Sequence, residues 1–420
     1  MSVVRCCSPR PIGPRRTLAS GSRSGPWRTL STSSRSAAVN SSRRELLLSS
    51  TALVGGAAGA KAPVALAEGA ESQAAPTAAL ELAPVPKIQL ADDLEISRVI
   101  KGCWQLGGGH GGEPETDRTL GPAAVEDFPP FVEAGITTFD TADHYGPSEA
   151  VIGQYLYARP DHRGRVQVLT KFCCFGDMQR QAANLDFVEQ CIDRSRQRLR
   201  MDKLDLLQFY WADYAIEGYV GAALHLAELQ AQGKIRHIGV TNFDVPRLQE
   251  MLDAGVKIVS NQVQYSLLDR RPGVAMVDFC KERGIQLLTY GTVAGGFLSE
   301  RYLGMDAREV VVNTYSKSKY GSVIGQAGGW GWLQELLQAL SHIATKHGVS
   351  IADVATKWVL DQPTVAGVVV GARNALHVPD HQRMCSLVLD YGDLDSIQEV
   401  LEKGTQPTGD CYTWERGGRW

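Results

Sequence analysis

No Asp or Glu occurs among the first 44 residues of this 420-residue chain, although nine Arg and eleven Ser do. Such a composition cannot build a core, and residues 1–44 read as an organellar transit segment. Also missing from the rest of the chain is any run long and apolar enough to span a bilayer, so no stable membrane insertion of the mature chain is expected. No Cys-x-x-Cys pair occurs. Once Cys6 and Cys7 leave with a leader, seven cysteines remain: Cys103, Cys173, Cys174, Cys191, Cys280, Cys385 and Cys411. An odd number without metal-ligand spacing indicates neither a zinc framework nor a full disulfide scaffold, and no metal is expected. No Gly-x-Gly-x-x-Gly follows an early apolar run, and Gly107-Gly108-Gly109 lacks that spacing, which counts against a doubly wound dinucleotide-binding sheet.

What is present begins with a second signal. Ser41-Ser42-Arg43-Arg44-Glu45 leads into Leu46-Leu47-Leu48, a weakly apolar Gly/Ala-rich stretch to Ala60, then Lys61 and a small-residue ending at Ala65-Leu66-Ala67. Residues 45–67 resemble a twin-arginine signal for the thylakoid lumen, and the modest apolarity and Lys61 suit that route better than the Sec route. The alternative is that Arg43-Arg44 merely ends a basic transit peptide and the protein stays in the chloroplast stroma. Cleavage after Ala67 leaves 33 Lys and Arg against 45 Asp and Glu, a net charge of −12. So acidic a protein is a poor partner for nucleic acid.

Residues 68–94, rich in Ala, Pro and Glu, read as a linker with a short edge hairpin around Pro86–Leu90, and the folded body is expected to begin near residue 86. Beyond it, runs rich in Val, Ile and Leu recur at 98–104, 136–142, 166–172, 204–211, 235–241, 258–264, 285–290 and 365–371. Most lack strict alternation, as strands covered on both faces do. Helical periods lie between them, as in Phe187-Val188-Cys191-Ile192-Ser195-Leu199. Eight such units predict an α/β fold, a (β/α)8 TIM barrel over 95–403, with residues 404–420 as a tail and the doubly wound sheet as runner-up. The interval from 291 to 364 is long. Its Gly-rich first part predicts an irregular loop between strands 7 and 8 overhanging the mouth, while 332–347 and 350–361 look helical.

Chemistry in such barrels collects at the carboxyl ends of the strands, and here those ends are polar: Asp140, Lys171, Tyr210, Thr241-Asn242, Gln262, Tyr290 and Arg373. A Lys beside Tyr145 favours the phenolate and draws its pKa down, while Asp140 keeps Lys171 charged and oriented. Such a Tyr serves as general acid toward a carbonyl oxygen or as base toward an alcohol. A buried structural ion pair would also explain Asp140 and Lys171, but it leaves Tyr145 without a role. Trp104, Trp211 and Trp330 are candidates for an apolar substrate wall, against the plainer reading of rim packing. Cys173-Cys174 invites a redox-switch reading, although buried strand-end cysteines are far commoner than switches and an adjacent-cysteine disulfide is strained.

The run Phe139-Asp140-Thr141-Ala142-Asp143-His144-Tyr145-Gly146 with Ser148-Glu149, the strand end Thr170-Lys171, the segment Gly233–Phe243 and Asn261-Gln262-Val263-Gln264-Tyr265 together resemble the aldo-keto reductase superfamily over about residues 95 to 403. The resemblance implies a nicotinamide dinucleotide bound extended, NADPH with NADH as the alternative, and a small-molecule carbonyl or alcohol substrate. It makes Asp140, Tyr145 and Lys171 members of a catalytic tetrad. It implies that Thr241, Asn242 and Gln262 hold the carboxamide and that Tyr290 stacks on the nicotinamide. Gly291, Thr292, Val293, Ala294, Gly295, Gly296, Phe297 and Leu298 match the pyrophosphate loop, and Gly371, Ala372 and Arg373 the adenosine 2′-phosphate end. Two departures stand out. The adenine-side helix carries His377 and His381 where the family has a basic residue and an asparagine. Tyr210 stands where the family has a strand-four histidine.

Three readings follow: a carbonyl reductase, a cofactor-binding redox-sensing module of the kind seen in potassium-channel beta subunits, and a Schiff-base aldolase using Lys171. For the leader, changing Arg43-Arg44 to Lys-Lys should block lumenal entry and leave the protein in the stroma. Import followed by subfractionation checks this, and unchanged lumenal accumulation would rule out the twin-arginine route.

Overall fold

A computed structural model describes residues 82–107, 121–405 and 407. The leader segments 1–44 and 45–67, Gly108-Gly109, Cys411 and most of the tail lie outside the described residues. Among the described residues no helix is long and apolar enough to cross a membrane.

The apolar runs become eight parallel strands that close on themselves: β3 (Val99–Gly102), β4 (Thr138–Asp140), β5 (Gln167–Cys174), β6 (Leu204–Trp211), β7 (Ile235–Thr241), β8 (Ile258–Gln264), β9 (Gln286–Tyr290) and β10 (Val365–Gly371), the last pairing back onto β3. Four of these coincide with the sequence runs residue for residue, and the others differ at their ends by one or two positions. The architecture is the (β/α)8 barrel.

Alternation along each strand divides the core into two shells. Ile100, Leu169, Leu206, Leu288 and Ala366 pack inside the barrel. Val99, Phe139, Val168, Leu207, Phe209, Val240 and Val263 face a helical layer. That layer consists of α1 (Phe128–Glu133), α2 (Ser148–Ala158), α3 (Leu185–Leu199), α4 (Tyr219–Ala231), α5 (Val245–Asp253), α6 (Met276–Arg283), α7 (Tyr315–Ala327), α8 (Gly329–His347), α9 (Ile351–Leu360), α10 (Val378–Ser386) and α11 (Tyr391–Lys403).

The segment expected to be linker up to residue 94 is partly structural. β1 (Lys87–Ala91) and β2 (Leu94–Ser97) form an antiparallel hairpin whose Leu90, Leu94 and Ile96 join the interior cluster and close the amino-terminal floor of the barrel. Val85 N donates to Ala134 O at 2.9 Å, so the chain is fastened before the first strand begins. At the hairpin turn Asp93 accepts from Arg236 Nε at 2.8 Å, tying the floor to β7. The hairpin expected around Pro86–Leu90 is therefore present, with its first strand starting at Lys87, ahead of the barrel boundary at 95.

The stretch between β9 and β10 departs from expectation. Residues 315–327, read as irregular, are the helix α7. Its Gly and Lys content masks a buried stripe of Tyr320, Val323, Ile324 and Ala327, spaced i, i+3, i+4 and i+7, and Thr314 Oγ1 caps it by accepting from Lys317 N at 3.1 Å. This stripe packs with Leu333, Leu336, Leu337 and Leu340 of α8 in a second apolar cluster that also holds Phe297 and Leu298.

Candidate active site

The polar residues at the carboxyl mouth converge on Asp140. Lys171 Nζ donates to Asp140 Oδ1 at 2.6 Å and to Thr141 O at 2.8 Å. Gln208 Nε2 and Gln262 Nε2 donate to Asp140 Oδ2 at 2.8 and 2.7 Å, and Gln262 Nε2 also reaches Gln208 Oε1 at 2.9 Å. The Asp140 and Lys171 side chains are each 4% exposed, so the pair stands only because amides and a carbonyl satisfy its remaining groups. Burial alone would depress the Lys171 ammonium, but the facing Asp140 carboxylate outweighs it and holds the pKa above the usual lysine range. A lysine kept charged in this way is no nucleophile, which counts against the Schiff-base reading.

Tyr145 is half-buried, and Lys171 Nζ lies 5.1 Å from its ring centroid. The expectation that Lys171 draws the phenol toward working pH is corrected here. Burial pushes Tyr145 up to about 12 and exceeds the pull of Lys171. The hydroxyl therefore stays protonated, which is the form a proton donor needs. Tyr210, only 7% exposed, packs with Ala142, Cys173 and Tyr145, and its ring lies 5.4 Å from that of Phe175.

The tryptophans separate. Trp104 sits in a 3-10 turn, Trp104–Gly107, directly after β3, and remains 36% exposed at the mouth. Trp211 is excluded from the site. As the outward residue at the end of β6 it is fully buried in the helical layer, edge-on to Phe209 and Tyr219, with Nε1 donating to Ile216 O at 2.9 Å. Trp330 likewise packs edge-on to Phe297 and Tyr302 and donates to Met305 O.

The residues expected around a dinucleotide line one side of the mouth. Asn242 takes a left-handed backbone, φ 59°, and its Oδ1 accepts from the Tyr290 hydroxyl at 3.0 Å, which fixes the orientation of the amide. Thr241 Oγ1 donates to Gln262 O at 3.1 Å. Gln262 spends its amide donor on Asp140 and Gln208. After β9 the chain coils tightly, with Ala294 N on Gly291 O at 2.9 Å and Thr292 Oγ1 3.3 Å from Thr356 Oγ1. Gly291 has φ 74°, and a Cβ there would overlap the Tyr320 hydroxyl of α7, so only glycine fits. Phe297 and Leu298 turn their side chains into the second apolar cluster and serve as anchors of the loop, not as its lining.

At the far end Gly371 closes β10, and Ala372 O accepts from the buried Lys101 Nζ at 3.1 Å, holding the loop that presents exposed Arg373. His377 is exposed and pairs with Asp380 at 2.8 Å. Burial, with His377 adding to it, lowers His381 to about 4, so His381 is neutral at working pH and offers no cation. Beside Gly371, Gln105 Oε1 is buried without a hydrogen-bond partner. An orphaned acceptor, a glycine coil and an oriented amide fit an extended nicotinamide dinucleotide, which supplies hydride when bound.

Sequence reasoning missed Gln208, Gln105, Lys101, Lys319 and Tyr320. Gln208 carried a signal, because the inward alternation Leu206, Gln208, Tyr210 places it one step below Tyr210. Lys319, whose Nζ lies 5.0 Å from the Tyr290 ring centroid, carried none, because it lies on the helix that was read as loop.

Residues 98–402 match the Aldo/keto reductase family, and the chain belongs to it. It is an NAD(P)H-dependent oxidoreductase of carbonyl compounds. The chain is 26% identical over 326 residues to the NADH-specific methylglyoxal reductase of Escherichia coli, covering 74% of this chain and 96% of that protein. It is 31% identical over 268 residues to the chloroplastic pyridoxal reductase of Arabidopsis thaliana, covering 60% and 68% respectively. In fold it is similar to a glycerol dehydrogenase of Gluconobacter oxydans, with TM-score 0.63, 24% identity and coverage of 78% and 97%.

The amides around Asp140 yield a prediction. Gln208→Leu should destabilise the protein by about 1–3 kcal/mol, because a buried carboxylate oxygen loses a donor. Gln208→Glu should cost more, since it sets a second carboxylate against Asp140. Urea unfolding of both variants checks the order; equal stability would mean that the amide contributes nothing.

Proposed function

We propose that this protein is an NADPH-dependent reductase of a small-molecule aldehyde or ketone, in which Tyr145 gives the proton to the carbonyl oxygen. One observation carries the reading: a buried, fully hydrogen-bonded Asp140–Lys171 pair set against a tyrosine at the barrel mouth. In this reading Lys171 stabilises negative charge as it develops on the Tyr145 oxygen, and Asp140 holds Lys171 in place. Tyr210 orients the carbonyl by a neutral hydroxyl hydrogen bond and shares no proton. Thr241, Asn242 and Gln262 hold the carboxamide, Tyr290 backs the nicotinamide, the coil from Gly291 to Leu298 receives the pyrophosphate, and Arg373 grips the 2′-phosphate. Trp104 contributes to the substrate wall. The thylakoid lumen remains the proposed location, resting on residues 1–67 alone.

Tyr210 in place of a histidine also favours a second reading, a cofactor-sensing module with little turnover. Tight NADPH binding without reduction of any carbonyl by the unaltered protein would decide for it.

Tyr145→Phe should lower kcat/KM for carbonyl reduction by about 10²–10⁴-fold while NADPH affinity stays nearly unchanged. Because the phenol is pushed up to about 12, reduction by the unaltered protein should show no loss from Tyr145 ionisation until pH approaches that value. Steady-state kinetics with a fluorescence titration checks both, and a wild-type rate in Tyr145→Phe would remove the tyrosine from the mechanism.

Arg373→Ala should weaken NADPH by roughly 10- to 150-fold, equivalent to the roughly 1.5–3 kcal/mol of a charged hydrogen bond, and leave NADH almost unaffected. Equal losses for both cofactors would mean that Arg373 does not grip the 2′-phosphate.

A further inference from the structure

The turn that carries Tyr145 brings together three ligand types the proposed mechanism does not use. The Asp143 carboxylate, a ring nitrogen of His144 and Cys173 Sγ lie within 4.8 Å of one another. His144 Nδ1 is 3.3 Å from Asp143 Oδ1. The other carboxylate oxygen, Oδ2, accepts from Cys173 N at 3.2 Å, which fixes the carboxylate and leaves Oδ1 directed at the histidine. Arg198, the nearby cation of α3, donates to Asp143 O at 3.1 Å and to Glu149 Oε2 at 3.3 Å, so it is engaged elsewhere than on the Asp143 carboxylate.

We propose that Asp143, His144 and Cys173 form a binding site for a thiophilic divalent cation of the zinc class. Zinc bonds to nitrogen, oxygen and sulfur run about 2.0–2.3 Å, which in a tetrahedron separates ligand atoms by roughly 3.3–3.8 Å. The Asp143–His144 pair already has that spacing, and the sulfur needs to close by no more than about 1 Å of side-chain rotation on the same scale. A mixed carboxylate, imidazole and thiolate set selects zinc over magnesium or calcium, which prefer oxygen alone. Three protein ligands leave a fourth position open to water.

Access is provided. Asp143 is 8% and His144 42% exposed at the side chain, so an ion enters past the His144 ring and reaches a thiol buried behind it. Burial and the neighbouring Asp143 charge raise the Cys173 thiol well above its usual range, so the empty site keeps the thiol protonated. Binding forms a metal–sulfur bond and sends the thiol proton to solvent. No spacing motif announces the site, because 29 positions separate His144 from Cys173 and only the pairing of β4 with β5 unites them.

The test uses the full chain, freed of metal with a chelator, kept reduced and titrated with Co²⁺. One equivalent should give near-ultraviolet thiolate-to-cobalt absorbance, release one proton to a pH indicator, and be displaced by Zn²⁺. Cys173→Ser should abolish the band. Cys174→Ser should keep it, since Cys174 faces the helical layer. His144→Ala alters an exposed ring, and its melting curve should match the wild type. It should nevertheless bind Co²⁺ at least about tenfold more weakly, no less than the loss typical of removing an outer-shell partner. Absence of the band, a band that survives Cys173→Ser, or unchanged affinity in His144→Ala would each overturn the site. The result stands apart from carbonyl reduction, because binding is read without substrate or cofactor.

Discussion

The ion pair between Asp140 and Lys171 is the constraint on which the rest of the structure turns. Each charge taken out of water costs several kcal/mol, and their mutual attraction offsets this only if the other lone pairs and protons are also met. Here they are met by Thr141 O and by the amides of Gln208 and Gln262. The pair joins β4 to β5, and its partners come from the residue after β4, from β6 and from β8, so closing the barrel assembles the network and places Tyr145 beside it. Fold and chemistry are therefore one requirement. A strand slip of one residue would turn Asp140 or Gln208 toward the helices and leave a charge unpaired.

The side of the mouth proposed for the cofactor is built differently, from segments far apart in sequence. Lys101 lies between the rings of Phe128 and Phe131, 4.1 Å from the centroid of the second, and holds Ala372 O. Burial lowers its pKa, with Cys103 and Asp127 opposing that shift. At the other end α7 lays Tyr320 on Gly291 and Lys319 beside the Tyr290 ring. Each end of the groove is thus shaped by a lysine that the strand-end logic does not reach. His381, the residue at the position the family gives to asparagine, contributes no charge there.

How much was legible in the sequence depended on the kind of signal. Strands buried on both faces write themselves as unbroken apolar runs, and β6, β7, β8 and β10 were readable to the residue. The gathering of Asp140, Tyr145, Lys171 and Tyr210 at the mouth was readable because polar groups at barrel strand ends need a reason. α7 was hidden because Gly321, Gly325 and its serines depress intrinsic helix propensity, while tertiary packing of Tyr320, Val323 and Ile324 supplies what propensity does not. Trp211 was misread because a strand end exposes only every second side chain to the mouth, and Tyr210 takes that direction on β6. The phenol of Tyr145 was misjudged in sign because a sequence shows a neighbouring charge but not how much water the fold removes.

The hairpin on the barrel floor has a consequence for handling and attachment. The described chain begins beside β1, at the end of the barrel opposite the strand tips that carry Asp140 and Tyr145. A pull transmitted through residue 82 therefore acts first on the hairpin at the floor and not on the strand tips. A linkage through residues near Gly404 is less neutral, because Thr405 N is bonded to Ala327 O at the end of α7, the helix that borders the groove. The amino-terminal side of the described residues is fastened as well, since Gln382 Nε2 of α10 donates to Ala83 O at 3.1 Å.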